Sequence, residues 1–239
     1  MTSGPLIVQS DKTLLLEVDH EQFVDCRNAI APFAELERSP EHIHTYRMSD
    51  LGLWNAGAAG YDAEAVVDTL IRYSRFPVPH SLLVDVAETM SRYGRLQLQM
   101  SPVHGLILST AEPALLDEVL HSKKIQPMVG DRLEPGTVRV HPSERGRLKQ
   151  VLVGLGWPAE DLAGYVDGEA HEITLATDDW HLRDYQQQAV DGFLAGGSGV
   201  VVSPCGSGKT LVGAAAMADL GATTLTLVSN TVWARQWTS

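Results

Sequence analysis

Basic residues are scarce in this chain. Eighteen Lys and Arg stand against 30 Asp and Glu, a formal net charge of −12, which excludes a polyanion binder held by bulk charge alone. The deficit is general: residues 1–176 carry 15 basic and 25 acidic side chains, and the rest carry 3 and 5. Any nucleic-acid contact must therefore come from local patches. No apolar run approaches the ~20 residues that a membrane helix needs. The segment Met1-Thr2-Ser3-Gly4-Pro5 has neither the basic nor the apolar region of a secretion signal. A cytosolic protein without membrane contact is expected. Cysteine is limited to Cys26 and Cys205, too few for a disulfide framework. His42 and His44 lack further ligands at metal spacing, so no structural zinc site is expected there.

What remains is a chain with room for one or two domains, 44% hydrophobic and 20% charged over 239 residues. Its pattern predicts an α+β amino-terminal region followed by an incomplete α/β phosphate-loop domain. Residues 1–48 read as two short strands, Leu6–Val8 and Thr13–Val18, and a mixed segment over Asp25–Ala34 that is helical until Pro32 stops it. Residues 49–110 read as three helices and a hairpin. Ser49 or Asp50 caps the first and Asp62 the second; the third begins near Ser81 and stops at Gly94. Strands Leu96–Met100 and Leu106–Ser109 follow. That order is the order of a winged helix, and contact with DNA, contact with a protein, and plain scaffolding are all open readings. Residues 111–170 suggest a small helix–strand–helix module. Its Arg139 to Lys149 stretch, with Arg145, Arg147 and Lys149, is either a DNA or damage contact or a solvated helix face. The polar stretches 167–170 and 177–179 read as the linker into residues 171–239.

In that last part lies Ser203-Pro204-Cys205-Gly206-Ser207-Gly208-Lys209-Thr210. An apolar run, Gly199–Val202, leads in as a predicted strand and Thr210–Met217 leads out as a predicted helix, the context a nucleotide-phosphate loop requires. Gly206 and Gly208 let backbone N–H groups turn toward a phosphate at a helix N-terminus. Lys209 would reach the β/γ-phosphates, and the Thr210 hydroxyl would bind Mg²⁺. Upstream, Gln186 stands about twenty residues before the loop, and its amide can both donate to and accept from an adenine edge. Downstream, Ala222–Asn230 predicts a second strand. Its polar end, Ser229-Asn230, suits a nucleic-acid phosphate or an ordinary crossover equally well. No aspartate ends that strand, which argues against a compact nucleotide kinase.

The strings Leu182-Arg183-Asp184-Tyr185-Gln186, Pro204 to Thr210, and Leu227-Val228-Ser229-Asn230 with Gln236-Trp237 resemble the Q-like motif, motif I and motif Ia of the XPB-type DNA repair helicases of superfamily 2. Leu6–Lys12 and Tyr165–Glu169 are similar to the amino-terminal region of the bacterial branch, so the resemblance runs the length of the chain. It implies ATP and Mg²⁺ as cofactors and translocation along single-stranded DNA with 3′→5′ polarity by two RecA-like domains. DNA would be the partner, with a repair nuclease as a candidate second one. Arg183, Gln186 and Pro204 to Thr210 would form the ATP site, and the amino-terminal region would touch DNA or damage. Ser203 and Asp184 depart slightly from the family pattern. More seriously, motif II, motif III and a second RecA-like domain are absent from these residues. Asp117-Glu118-Val119-Leu120-His121 is no substitute, being one residue too long and on a predicted helix. These 239 residues are therefore expected to form an amino-terminal part that does not turn over ATP alone, loosely ordered beyond residue 180. The alternative is a stand-alone DNA- or protein-binding module with a vestigial loop.

Overall fold

The computed structural model describes residues 4–175 and 181–238, which fall into two compact units divided after Gly164. Among the described residues no helix is long and apolar enough to cross a membrane.

The first unit opens with β1 (Leu6–Val8) and β2 (Thr13–Glu17), then α1 (Phe23–Ile30), β3 (Glu35–Arg38) and β4 (Ile43–Arg47). The strands form an antiparallel sheet in the order β1-β2-β4-β3. Alternation along β2 sends Leu14 and Leu16 inward, and their register opposite Tyr46 and His44 sets which face of the sheet receives helices. Three of these follow: α2 (Asp50–Ala58), α3 (Ala63–Tyr73) and α4 (His80–Met90). The caps fall where the sequence places them. Ser49 Oγ accepts from the Gly52 N–H at 3.0 Å, and Asp62 Oδ1 from the Ala65 N–H at 2.8 Å. Leu53, Val66, Leu70, Leu82 and Val86 close one core with the sheet.

A second sheet follows, built from β5 (Leu96–Ser101), β6 (Gly105–Ser109), β7 (Val129–Glu134), β8 (Thr137–Val140) and β9 (Ala159–Asp161), with α5 (Pro113–Leu120) and α6 (Arg145–Gly154) between them in the chain. Its order is β7-β8-β6-β5-β9, and the last strand runs parallel to β5. Leu96, Leu98, Leu106 and Leu108 share a core with Leu116, Leu148 and Leu152 of these helices.

This overturns the winged helix expected over 49–110. The three helices belong to the first core and the hairpin to the second, because the hairpin's leucines find their apolar partners on α5 and α6. Nor is 111–170 a module apart, since β7, β8 and β9 extend the hairpin's own sheet. The helix predicted from Ser143 starts at Arg145, after a 3₁₀ turn over Pro142–Glu144.

The second unit contains α7 (Asp184–Gly196), α8 (Lys209–Leu220) and α9 (Thr231–Thr238). Val190, Val212 and Ala215 are its buried apolar residues. Among the described residues, the strands predicted at 199–202 and 222–230 carry no ladder, and an isolated antiparallel bridge joins Ala222 to Ala170. Strands of a phosphate-loop sheet need neighbours on both sides; here Val200 and Val202 are 89% and 90% exposed. Of the expected linker, 167–169 is irregular, Ala170 forms that bridge, and 177–179 lies outside the described residues.

Candidate nucleotide site

The chain reaches the phosphate loop from α7 and leaves it as α8. Gly206 and Gly208 adopt φ of +78° and +80°, a conformation that only glycine enters without cost. Gly208 is fixed twice over, because a Cβ there would lie 2.4 Å from Nε2 of Gln186. The loop bonds to itself: Lys209 Nζ donates to the Ser203 and Pro204 carbonyls at 2.9 and 2.8 Å, and Ser207 Oγ donates to the Pro204 carbonyl at 2.8 Å. The ammonium thus sits at the mouth of the loop on neutral acceptors. A phosphate, as a charged acceptor, makes the stronger bond.

From α7, two side chains converge on one atom. Tyr185 Oη and Gln186 Nε2 donate to the Ser207 carbonyl at 2.8 and 2.9 Å. Gln186 Oε1 accepts the Arg183 N–H at 2.9 Å, fixing the first turn of α7. Gln186 is one of two buried polar residues among those described, 4% exposed. Its carboxamide thus bonds the loop and the first turn of α7 through one N–H and one carbonyl lone pair. At the start of α8, Thr210 Oγ1 accepts from Gln236 Nε2 of α9 at 3.1 Å. Sequence reasoning missed Tyr185 and Gln236 as site residues, although both stand inside the strings that carried the resemblance.

These residues suit a magnesium-bound nucleoside polyphosphate: turned-in backbone, one ammonium and one hydroxyl, with phosphate and water oxygens left to complete the metal's shell. Among the described residues no cluster of three or more His, Cys, Asp or Glu could hold a metal by itself. Cys205 is exposed on the loop. Cys26 is buried, and burial pushes its thiol up to about 12.

The expected DNA contacts fare differently. Arg145 grips Asp161 through Nε at 3.0 Å and Nη2 at 2.7 Å, and donates to the Gly164 carbonyl at 2.7 Å. Lys149 Nζ joins the same carboxylate at 2.9 Å. Burial works against the charge on Asp161, but these partners outweigh it and hold the carboxyl below its usual range. Arg147 lies 3.6 Å from Glu144. The three cations are therefore held by two acids, Arg145 and Lys149 sharing Asp161, and among the three only Arg147 is prominently exposed. Asn230 accepts the Trp233 N–H at 3.1 Å and so caps α9; Ser229 beside it is exposed.

Two family models match the chain: "Helicase conserved C-terminal domain" over residues 6–134, more than half its length, and "Type III restriction enzyme, res subunit" over 179–239. A DNA 3′-5′ helicase XPB of Kineococcus radiotolerans is 71% identical over 99% of this chain and 42% of its own length. The protein of the same name from Mycobacterium tuberculosis is 68% identical, over 99% and 43%. More distantly, the general transcription and DNA repair factor IIH helicase/translocase subunit XPB of Enterocytozoon bieneusi is 25% identical over 98% and 39%. The chain spans about two fifths of the length of these relatives. On that family model and these identities over nearly its whole length, the chain belongs to the XPB-type DNA 3′-5′ helicases.

Proposed function

We propose that these residues bind Mg²⁺·ATP for a 3′→5′ DNA helicase or translocase acting in DNA repair. The observation that carries this is the loop held from α7: Tyr185 and Gln186 anchor the Ser207 carbonyl, and the Gly206, Gly208 and Lys209 N–H groups are the ones to face a phosphate at the N-terminus of α8. Lys209 exchanges two carbonyls for the β/γ-phosphates, and Thr210 supplies a metal ligand. Gln186 first holds the loop. Its second N–H and second lone pair remain for an adenine edge, so base recognition and loop geometry pass through one amide.

Hydrolysis is a different matter. It needs a carboxylate on a later strand to hold the metal and place water, and no Asp or Glu follows Asp219. This chain alone binds nucleotide without turning it over. DNA is the partner the reading implies, and the acidic balance confines it to local contacts. Calorimetric titration with a non-hydrolysable ATP analogue tests the proposal. Binding that Lys209→Ala abolishes, together with no phosphate release in the presence of single-stranded DNA, is expected. Affinity unchanged in Lys209→Ala, or DNA-stimulated release by this chain, overturns it.

A further inference from the structure

The contact between α9 and α8 reaches the metal ligand itself. Gln236 Nε2 donates to Thr210 Oγ1 at 3.1 Å. One residue on, Trp237 packs on α8 where Gly213 leaves room: a methyl group there would meet indole Cη2 at 2.6 Å and Cζ2 at 3.4 Å. Thr210 and Gly213 are three residues apart on one helix, hence on one face. A bond and a close packing contact side by side fix the height and rotation of α9 against α8, where either alone would let it slide. The cap from Asn230 to the Trp233 N–H holds the other end of the same helix.

A threonine hydroxyl has one proton and two lone pairs. An N–H arriving from Gln236 occupies one lone pair and turns the hydroxyl proton elsewhere, so the remaining lone pair has a defined direction. That pair is the one a magnesium ion would use in a loop of this kind. We propose that Gln236 is a positioning residue for the magnesium ligand Thr210, set in place by Trp237 seated on Gly213. It acts through Thr210 and touches neither metal nor nucleotide. The inference rests on the nucleotide-binding reading above.

The test is calorimetric titration of the 239-residue chain with a non-hydrolysable ATP analogue, in Mg²⁺ and in EDTA, with a Mg²⁺ titration at fixed analogue. Gln236→Met keeps the side chain's length and removes the donor. Gly213→Ala leaves Gln236 and Thr210 intact and displaces Trp237, which guards against a folding defect in the first variant. Both are expected to weaken binding roughly three- to tenfold in Mg²⁺, the range of one neutral hydrogen bond. Both should raise the Mg²⁺ midpoint and leave affinity in EDTA unchanged. Equal losses with and without Mg²⁺ would reduce Gln236 to a structural residue, and no loss in either variant would remove it altogether; either outcome overturns the proposal. A wild-type chain that binds no analogue in either buffer refutes the nucleotide reading itself.

Discussion

Removing the carboxylate of Asp161 separates the two roles open to Arg145 and Lys149. Asp161 accepts both arms of Arg145, the Lys149 ammonium and the Ala163 N–H, and its side chain is 12% exposed, against 25% and 39% for the two cations. Breaking a fully buried pair costs about 3–5 kcal/mol, and an exposed one at most about 1 kcal/mol. This site lies between, and Asp161→Ala should cost about 2–3 kcal/mol, lowering the melting temperature of the first unit by about 4–10 °C. The pH dependence has a definite sign. The carboxyl is depressed in the fold, so its stabilisation is fully present above the unfolded value of about 3.9 and is lost as pH falls through the folded one. Wild type and variant should therefore converge in acid. Arg145→Ala should be destabilising in the same way and leave oligonucleotide affinity unchanged. The reasoning fails if Asp161→Ala costs under about 0.5 kcal/mol, or if Arg145→Ala weakens DNA binding without loss of stability.

Two further outcomes follow from burial. An aromatic disulfide reagent should titrate one thiol in the native chain, Cys205, and the second only after unfolding, because Cys26 is buried with its thiol pushed up to about 12; two fast thiols in the native state would contradict that. Hydrogen exchange should be slowest in β5 and β6 and fastest over 199–207 and 223–230, where no ladder protects the amides, and an ATP analogue should slow exchange in 203–210. Uniform protection along the chain would refute this.

The features legible in the sequence are those whose cause is local. Ser49 and Asp62 announce their helices because a cap is written within three residues of the group it satisfies; Gly94, at φ +81°, closes the turn after α4 rather than the helix, which ends at Met90. The phosphate loop is legible likewise, since glycines, lysine and threonine act on adjacent backbone. Strand pairing is different. β3 escaped notice because Glu35-Leu36-Glu37-Arg38 is exposed throughout and shows no alternation, and β9, Ala-Glu-Asp, has no strand character until β5 lies beside it. The hairpin 96–109 is legible as a hairpin but its core is not, because order along the chain says nothing of which helices its leucines will meet. Conversely, Gly199–Val202 has the composition of a buried strand and no ladder, since composition cannot supply neighbours. The same limit governs charge. Arg145, Arg147 and Lys149 look basic when counted against Glu144, their neighbour in sequence and the partner of Arg147, whereas the acid that decides the role of the other two, Asp161, stands 16 and 12 residues beyond Arg145 and Lys149, on another element. A run of cations is thus a surface patch only if no carboxylate folds back on it, and in a chain with 30 acids to 18 bases a returning acid is the rule to reason against. Any DNA contact of this chain is accordingly better sought among cations that the fold leaves without such a partner than among those that lie close together in sequence.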